Sequence, residues 1–523
     1  MELIKIYPDR VQLKSSVRQL ADIRINNAML IRDVHSGLSL VCLVTSLSRA
    51  EEKEQFDFDG NLLESEPSST IECSIIGSLR DGKFEKSVDQ YPTSHVRIEK
   101  IDDAMFSSMI SAPASAAFRI GRYVNYDCPA FLDGNKFFQR HSAILGSTGS
   151  GKSCTEASLL HKLSQLESAN VILFDLHGEY AHLSYVKRVE IGGDGLSFPL
   201  WFLPLRDVYG NLLRIKEESS QLQVAALRKA FYQVRGSQKG DDVPLPYALD
   251  QLIACLEAEN SLEVGTGEFY KTGAHAGEEK TVKGESHGKL TGLISLLKDK
   301  QRDERYRFMT RDEPQDYLYR FIRELYGNEE KKIKVLDLSH VPSDIAPVII
   351  AVAAKLVYKV HLQQDRESLL PLNLICDEAH NYIPSSEFGL GASQRRMLDV
   401  FETISKEGRK FGVSLTIISQ RPSELNRTIL SQCANFIVLK LSNEADKQII
   451  RGVLPEGGGS VLSSISLFQP GDCLVIGDSA KIPLKIQIDM PAESPVSSTV
   501  QTWDAWCAPA ELDTGRLVDK ILE

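Results

Sequence analysis

Residues 146 to 153 read Gly146-Ser147-Thr148-Gly149-Ser150-Gly151-Lys152-Ser153: a glycine, four residues, then Gly-Lys-Ser. Glycines let a backbone curl until its N–H groups point at phosphate oxygens, and a helix N-terminus that follows adds positive dipole. In that geometry Lys152 reaches the β- and γ-phosphates of ATP, and the Ser153 hydroxyl holds Mg²⁺. The same chemistry needs carboxylates, and the apolar run 372–376 ends in Asp377-Glu378. Asp377 is the candidate metal acid and Glu378 the candidate for orienting the attacking water. A third apolar run, 415–418, leads into Ser419-Gln420-Arg421-Pro422. Gln420 either senses the γ-phosphate or belongs to a helix N-cap region before Pro422, and the residues alone leave both open. Arg409, in Glu407-Gly408-Arg409-Lys410-Phe411-Gly412, could offer a guanidinium to a neighbouring subunit's transition state. Its position at the end of a helical run favours, by itself, simple complementation of the helix dipole. Asp175 and Glu179, in Phe174-Asp175-Leu176-His177-Gly178-Glu179-Tyr180, bring further carboxylates to the same sheet edge.

Elements that present these residues follow from the apolar pattern. The runs 143–145, 171–174, 335–338, 372–376, 415–418, 436–439 and 473–476 are continuous rather than alternating, with helical spacing between them. That pattern predicts an α/β core with a parallel sheet covered on both faces. Residues 1–130 differ: short alternating runs separated by polar stretches predict a small all-β module, read as a barrel. The core is expected over 131–206 and 331–490. A helical insertion is expected over 207–330, with 263–287 as a loop. The tail, 491–523, carries Trp503 and Trp506, whose size suggests docking.

Composition narrows the function classes. The chain has 523 residues, 42% hydrophobic and 25% charged, as expected of folded, core-forming domains. A net charge of −11 restricts nucleic-acid contact to a local basic patch. Arg302, Arg305, Arg307, Arg395 and Arg396 are basic enough to touch phosphates, and a solvated helix face accounts for them equally well. The opening Met1-Glu2-Leu3-Ile4-Lys5 lacks a signal-peptide core, and the apolar stretch 345–354 is too short to span a bilayer. Nine cysteines with no Cys-x-x-Cys pair read as reduced thiols of a cytoplasmic protein.

Taken together, these segments resemble the HerA family of hexameric DNA-translocating ATPases, in the FtsK/HerA branch of RecA-like motors. The carriers are Arg140-His141-Ser142-Ala143-Ile144-Leu145 leading into the phosphate loop, the Asp175–Tyr180 turn, Asp377-Glu378-Ala379-His380, Glu407-Gly408-Arg409-Lys410-Phe411-Gly412 and Ser419-Gln420-Arg421-Pro422. The resemblance implies a RecA-like core, a HAS-barrel-like N-terminal module, and a tail that straps onto a neighbour. It implies a homo-hexamer around double-stranded DNA, with ATP and Mg²⁺ between subunits. Gln420 becomes the sensor, Arg409 the leading arginine finger and Arg140 a second arginine near the site. A nuclease or sirtuin-like effector is the implied partner, in DNA end processing or phage defence. An ATP-binding ring that only scaffolds such an effector is the competing expectation. A membrane-anchored coupling ATPase fits less well without a transmembrane span, and no guanine-reading motif supports a Ras-like GTPase.

Overall fold

The computed structural model describes the chain except residues 50–54, 57–61, 64–67, 81, 94, 111–115, 273, 276–277, 327–330, 386–388, 454–460, 497–501, 508–512 and 523. The first strands are β1 (Glu2–Ile6), β2 (Arg10–Ser16), β3 (Ala28–Asp33), β4 (Ser39–Arg49), the two-residue pair β5 (Gln55–Phe56) and β6 (Leu62–Leu63), β7 (Ser68–Arg80), β8 (Lys83–Glu85) and β9 (Val96–Lys100). Seven of them form one antiparallel sheet, β1-β2-β7-β4-β3-β9 with β8 on β7. It is open: among the described residues no ladder joins β1 to β9 to close the barrel expected from the sequence. Val11, Leu13, Met29, Ile31, Leu40 and Cys42 fill one face of it.

The rest of the chain builds around a sheet of eleven strands. These are β10 (Ala117–Tyr123), β11 (Pro129–Asp133), β12 (His141–Leu145), β13 (Val171–Asp175), β14 (Val186–Glu190), β17 (Ile333–Asp337), β18 (Leu372–Cys376), β19 (Val413–Ser419), β20 (Cys433–Val438), β21 (Asp472–Gly477) and β22 (Lys485–Ile488), with β15 (Glu263–Phe269) and β16 (Glu279–Lys283) apart. The order is β11-β10-β22-β21-β20-β12-β19-β18-β13-β17-β14. From β20 to β14 every pairing is parallel. From β20 outward to β11 every pairing is antiparallel.

Both faces of the parallel part are covered, which is why its strands are apolar without alternation. Ile172 and Phe174 of β13 point into one core, with the helices Ala346–Leu362 and Ala392–Glu407. Val171 and Leu173 point into the other, with Leu159, Leu160 and Leu163 of the helix Lys152–Ser164. Three expectations change. The run near 117–123, assigned to the N-terminal module, is a strand of the large sheet, hydrogen-bonded to β22 at the far end of the chain. The 263–287 segment contains the hairpin β15–β16, exposed along its length, where a loop was expected. The strand β14 also had no counterpart in the sequence reading, because Lys187 and Arg188 give it the polarity of an edge.

Candidate active site

Strand tips at one end of the parallel sheet converge on the phosphate loop. Gly146 N–H donates to the Ser419 carbonyl at 3.3 Å and Ser147 N–H to the Lys440 carbonyl at 2.9 Å, tying the loop to the ends of β19 and β20. Gly149 and Gly151 have φ of +75° and +92°, a region L side chains rarely adopt. A Cβ on Gly149 would stand in open space, whereas one on Gly151 would lie 2.7 Å from the Gly471 nitrogen. The helix Lys152–Ser164 starts there, and Thr155 N–H donates back to the Gly151 carbonyl at 2.9 Å.

Lys152 is buried, and its Nζ lies 2.8 Å from Asp377 Oδ1 and 3.1 Å from Glu378 Oε1. Burial pulls the Lys152 ammonium down, but Asp377, Glu156 and Glu378 together outweigh it, and its pKa is raised. Glu378 stands at the end of β18 with φ 44° and ψ 45°, a costly conformation for a residue with a side chain. The turn is held by Tyr382, whose hydroxyl donates to the Asp377 carbonyl at 2.8 Å. Burial raises the Glu378 carboxyl, yet Lys152 and the amide of Gln420 more than compensate, so it stays below its ordinary value. Gln420 Nε2 donates to Glu378 Oε1, while Gln420 Oε1 accepts from the Thr148 hydroxyl at 2.7 Å. Gln420 therefore bridges the phosphate loop and the acid.

Sequence reasoning missed Glu156. Four residues after Lys152 it looks like a solvent-facing helix partner, yet it is fully buried, and Tyr180 Oη donates to its Oε2 at 2.6 Å. Burial, reinforced by Asp377, raises its pKa well above the usual range. The signal available was Tyr180, in a motif already singled out. Asp175 holds that motif by accepting the backbone N–H groups of His177, Gly178, Glu179 and Tyr180 at 2.8 to 3.2 Å. The turn also brings Glu179 to the hydroxyl of Ser153.

Two candidates lie elsewhere. Arg140 directly precedes β12, and Arg409 lies four residues before β19. In a parallel sheet both are at the edge opposite the loop. The five residues of β12 lie between Arg140 and Gly146, so the two are six rises apart, about 20 Å. Arg140, expected near the site, instead pairs with Asp478, and Arg409 is exposed. Neither reaches Lys152 of its own chain.

Two buried polar atoms of the site suit a bound nucleotide. Among the described residues Ser150 Oγ and Glu378 Oε2 are buried without a hydrogen-bond partner, one in the loop and one on the acid. A phosphate oxygen and an attacking water would supply such partners. A glycine cradle, buried lysine and helix N-terminus after β12, with an acid pair after β18 on the far side of β19, define a P-loop nucleoside triphosphatase.

Comparison with known proteins agrees. Residues 118–357 match the family model "Helicase HerA, central domain". The DNA double-strand break repair helicase HerA of Saccharolobus solfataricus is 29% identical over 382 residues, spanning 71% of this chain and 68% of that protein. The protein of the same name from Sulfolobus acidocaldarius is 26% identical over 419 residues, spanning 78% and 76%. In fold, the chain is similar to VirB4 of Thermoanaerobacter pseudethanolicus, with a TM-score of 0.50 at 16% identity, covering 73% of this chain and 99% of that one. The chain is a P-loop ATPase whose residues 118–357 are similar to the central domain of HerA helicases.

Proposed function

We propose that this chain is an ATP-driven motor on double-stranded DNA, working as a ring of six whose nucleotide sites are each completed by a neighbour. The observation that carries the reading is the split of the machinery. Lys152, Asp377, Glu378 and Gln420 are hydrogen-bonded or ion-paired into one crevice at one sheet edge, and Arg140 and Arg409 are presented outward at the other.

In this reading the loop amides of residues 146–151 and Lys152 bind the triphosphate. Ser153 and Asp377 would hold Mg²⁺, which supplies charge neutralisation on the phosphates. Glu378, through Oε2, which has no hydrogen-bond partner among the described residues and lies 3.4 Å from His380 Nδ1, orients the attacking water and takes its proton as the new P–O bond forms and the bond to ADP breaks. Gln420 reports on the γ-phosphate because it touches both Thr148 and Glu378. Arg409 and Arg140, both presented at that edge, stabilise charge in the site of the adjoining copy. The N-terminal sheet serves as the barrel-like collar, and the exposed Trp503 and Trp506 serve as the strap to a neighbour.

Purified protein carrying Lys152→Ala or Glu378→Ala is expected to lose ATP turnover. Retention of wild-type hydrolysis in either variant rules out this site. A second reading, a ring that organises a nuclease or sirtuin-like effector, draws on the exposed hairpin β15–β16, where Val264, Phe269 and Val282 face solvent. ATP turnover indifferent to duplex DNA, with stable effector binding, favours the scaffold. Among the described residues no helix is long and apolar enough to cross a membrane, which suits a cytoplasmic role on DNA.

A further inference from the structure

Arg140 and Arg409 are far apart in sequence, yet one buried side chain joins the segments that carry them. His141 is the first residue of β12 and is 5% exposed. Its Nδ1 accepts the backbone N–H of Leu415 at 2.9 Å. The ring also donates to the carbonyl of Ser405. One nitrogen accepts and the other donates, so the ring is neutral with its proton on Nε2.

The two partners bracket the turn that matters. Ser405 lies near the end of the helix Ala392–Glu407, and Leu415 is the third residue of β19. Between them the chain runs through the short helix Gly408–Phe411 and a left-handed Gly412, with φ +69°. Arg409 sits on that excursion. His141 clasps it at both ends and is covalently next to Arg140. The strands around it are tied by a buried polar chain: Ser142 to Thr416 at 3.0 Å, Thr416 to Asn373 at 3.0 Å, and Asn373 to Ser414 at 2.9 Å. An apolar residue at 141 would fill the space and leave the Leu415 N–H without this partner.

We propose that His141 is a positioning residue for hydrolysis in the adjoining copy: it fixes the Arg409 turn relative to Arg140, so that both guanidinium groups meet the neighbour's triphosphate together. The inference rests on the reading that Arg409 acts between copies. It assigns the residue that sets the geometry, not another group that touches ATP.

The experiment uses full-length protein with duplex DNA and ATP. His141→Phe removes both bonds and keeps an aromatic of similar bulk, and His141→Gln keeps one acceptor and one donor. The expected result is a fall in kcat of about a hundredfold for His141→Phe, the order that misplacement of a reacting group costs, with KM for ATP unchanged. His141→Gln recovers most of it. Each variant is then mixed with Glu378→Gln subunits, which are hydrolysis-dead but keep the arginine edge intact, and Arg409→Ala is mixed in parallel. Mixing is expected to raise turnover of His141→Phe subunits as it raises that of Arg409→Ala. Rescue of Arg409→Ala without rescue of His141→Phe overturns the proposal and leaves His141 serving its own fold. Failure to rescue Arg409→Ala overturns the reading beneath it and the proposal with it. Should His141→Phe not fold, His141→Asn, too short to reach both partners, is subjected to the same mixing with the same two outcomes.

Discussion

The two edges of the parallel sheet hold opposite kinds of charge in opposite surroundings. At the phosphate-loop edge Lys152, Asp377, Glu378 and Glu156 are all buried, with Lys152 ion-paired to both Asp377 and Glu378. At the other edge the Arg140 side chain is 42% exposed against an equally open Asp478. Exposed pairs of that kind contribute about 0–1 kcal/mol, so the fold gains little from those arginines. Removing one member of the buried cluster costs far more, because an uncompensated charge is left behind. One edge is thus finished within the chain, and the other offers cations that the chain itself leaves at its surface. In the proposed ring the second edge of one copy would stack on the first edge of the next and complete it.

The largest expected effect breaks or keeps that difference directly. Arg409→Ala should lower kcat by about 10³-fold or more, the usual worth of an arginine supplied to a phosphoryl-transfer site. The check is steady-state ATP hydrolysis with duplex DNA, with nucleotide affinity measured separately and expected to be unchanged. A loss of nucleotide binding instead would place Arg409's effect within its own chain, against the geometry of β19.

Glu378→Gln comes next. It removes the water-orienting carboxylate while keeping a side chain of the same shape beside Lys152, and should cost about 10²–10⁴-fold in turnover. Binding of a fluorescent ATP analogue should persist. A variant that both binds and hydrolyses normally would transfer the role to Glu156 or Glu179, the other carboxylates of this edge.

Gln420→Ala is smaller. Its amide bridges Thr148 and Glu378, so its removal should slow hydrolysis by about 10-fold, below the cost of losing a direct transition-state donor. It should also weaken the response of turnover to DNA. Unaltered stimulation by DNA would reduce Gln420 to a local tie.

Much of the finished edge could be read from residue order, because each reactive group follows an apolar strand: the loop after β12, the acid pair after β18, Gln420 after β19. The unfinished edge was equally legible in principle. Arg140 precedes β12 and Gly146 follows it, so the two must lie at opposite ends of one strand. Glu156 was not legible, since a glutamate one turn after a lysine has the spacing of a solvated helix pair. Nor was the partner of β10, since the strand that binds it, β22, comes more than 360 residues later. The hairpin β15–β16 escaped because Gly265, Thr266 and Gly267 give it the composition of a loop.

The smallest expected effect concerns the joint between the arginines, and it is a matter of stability. Burial holds the His141 pKa down at about 4, against an ordinary 6.5, with the Ser405 carbonyl opposing only in part. The folded state therefore keeps the ring neutral while the unfolded chain binds a proton. Its contribution is complete above the unfolded value, is lost as pH falls from 6.5 toward 4, and changes no further below that. Between pH 7 and pH 5 the loss amounts to about 2 kcal/mol. Glu156 and Asp175, raised by burial, titrate in the opposite sense, so the raw stability of the protein mixes these effects. Subtracting His141→Gln, which keeps both acids and has no titrating ring, isolates the histidine. The advantage of wild type over that variant in thermal or urea unfolding should shrink by that amount over the interval. An advantage that stays constant from pH 7 to pH 5 would mean that the folded ring takes a proton on Nδ1 as readily as the unfolded one, giving up the bond from Leu415 N–H without loss of stability, and that the turn bearing Arg409 tolerates a charge beneath it.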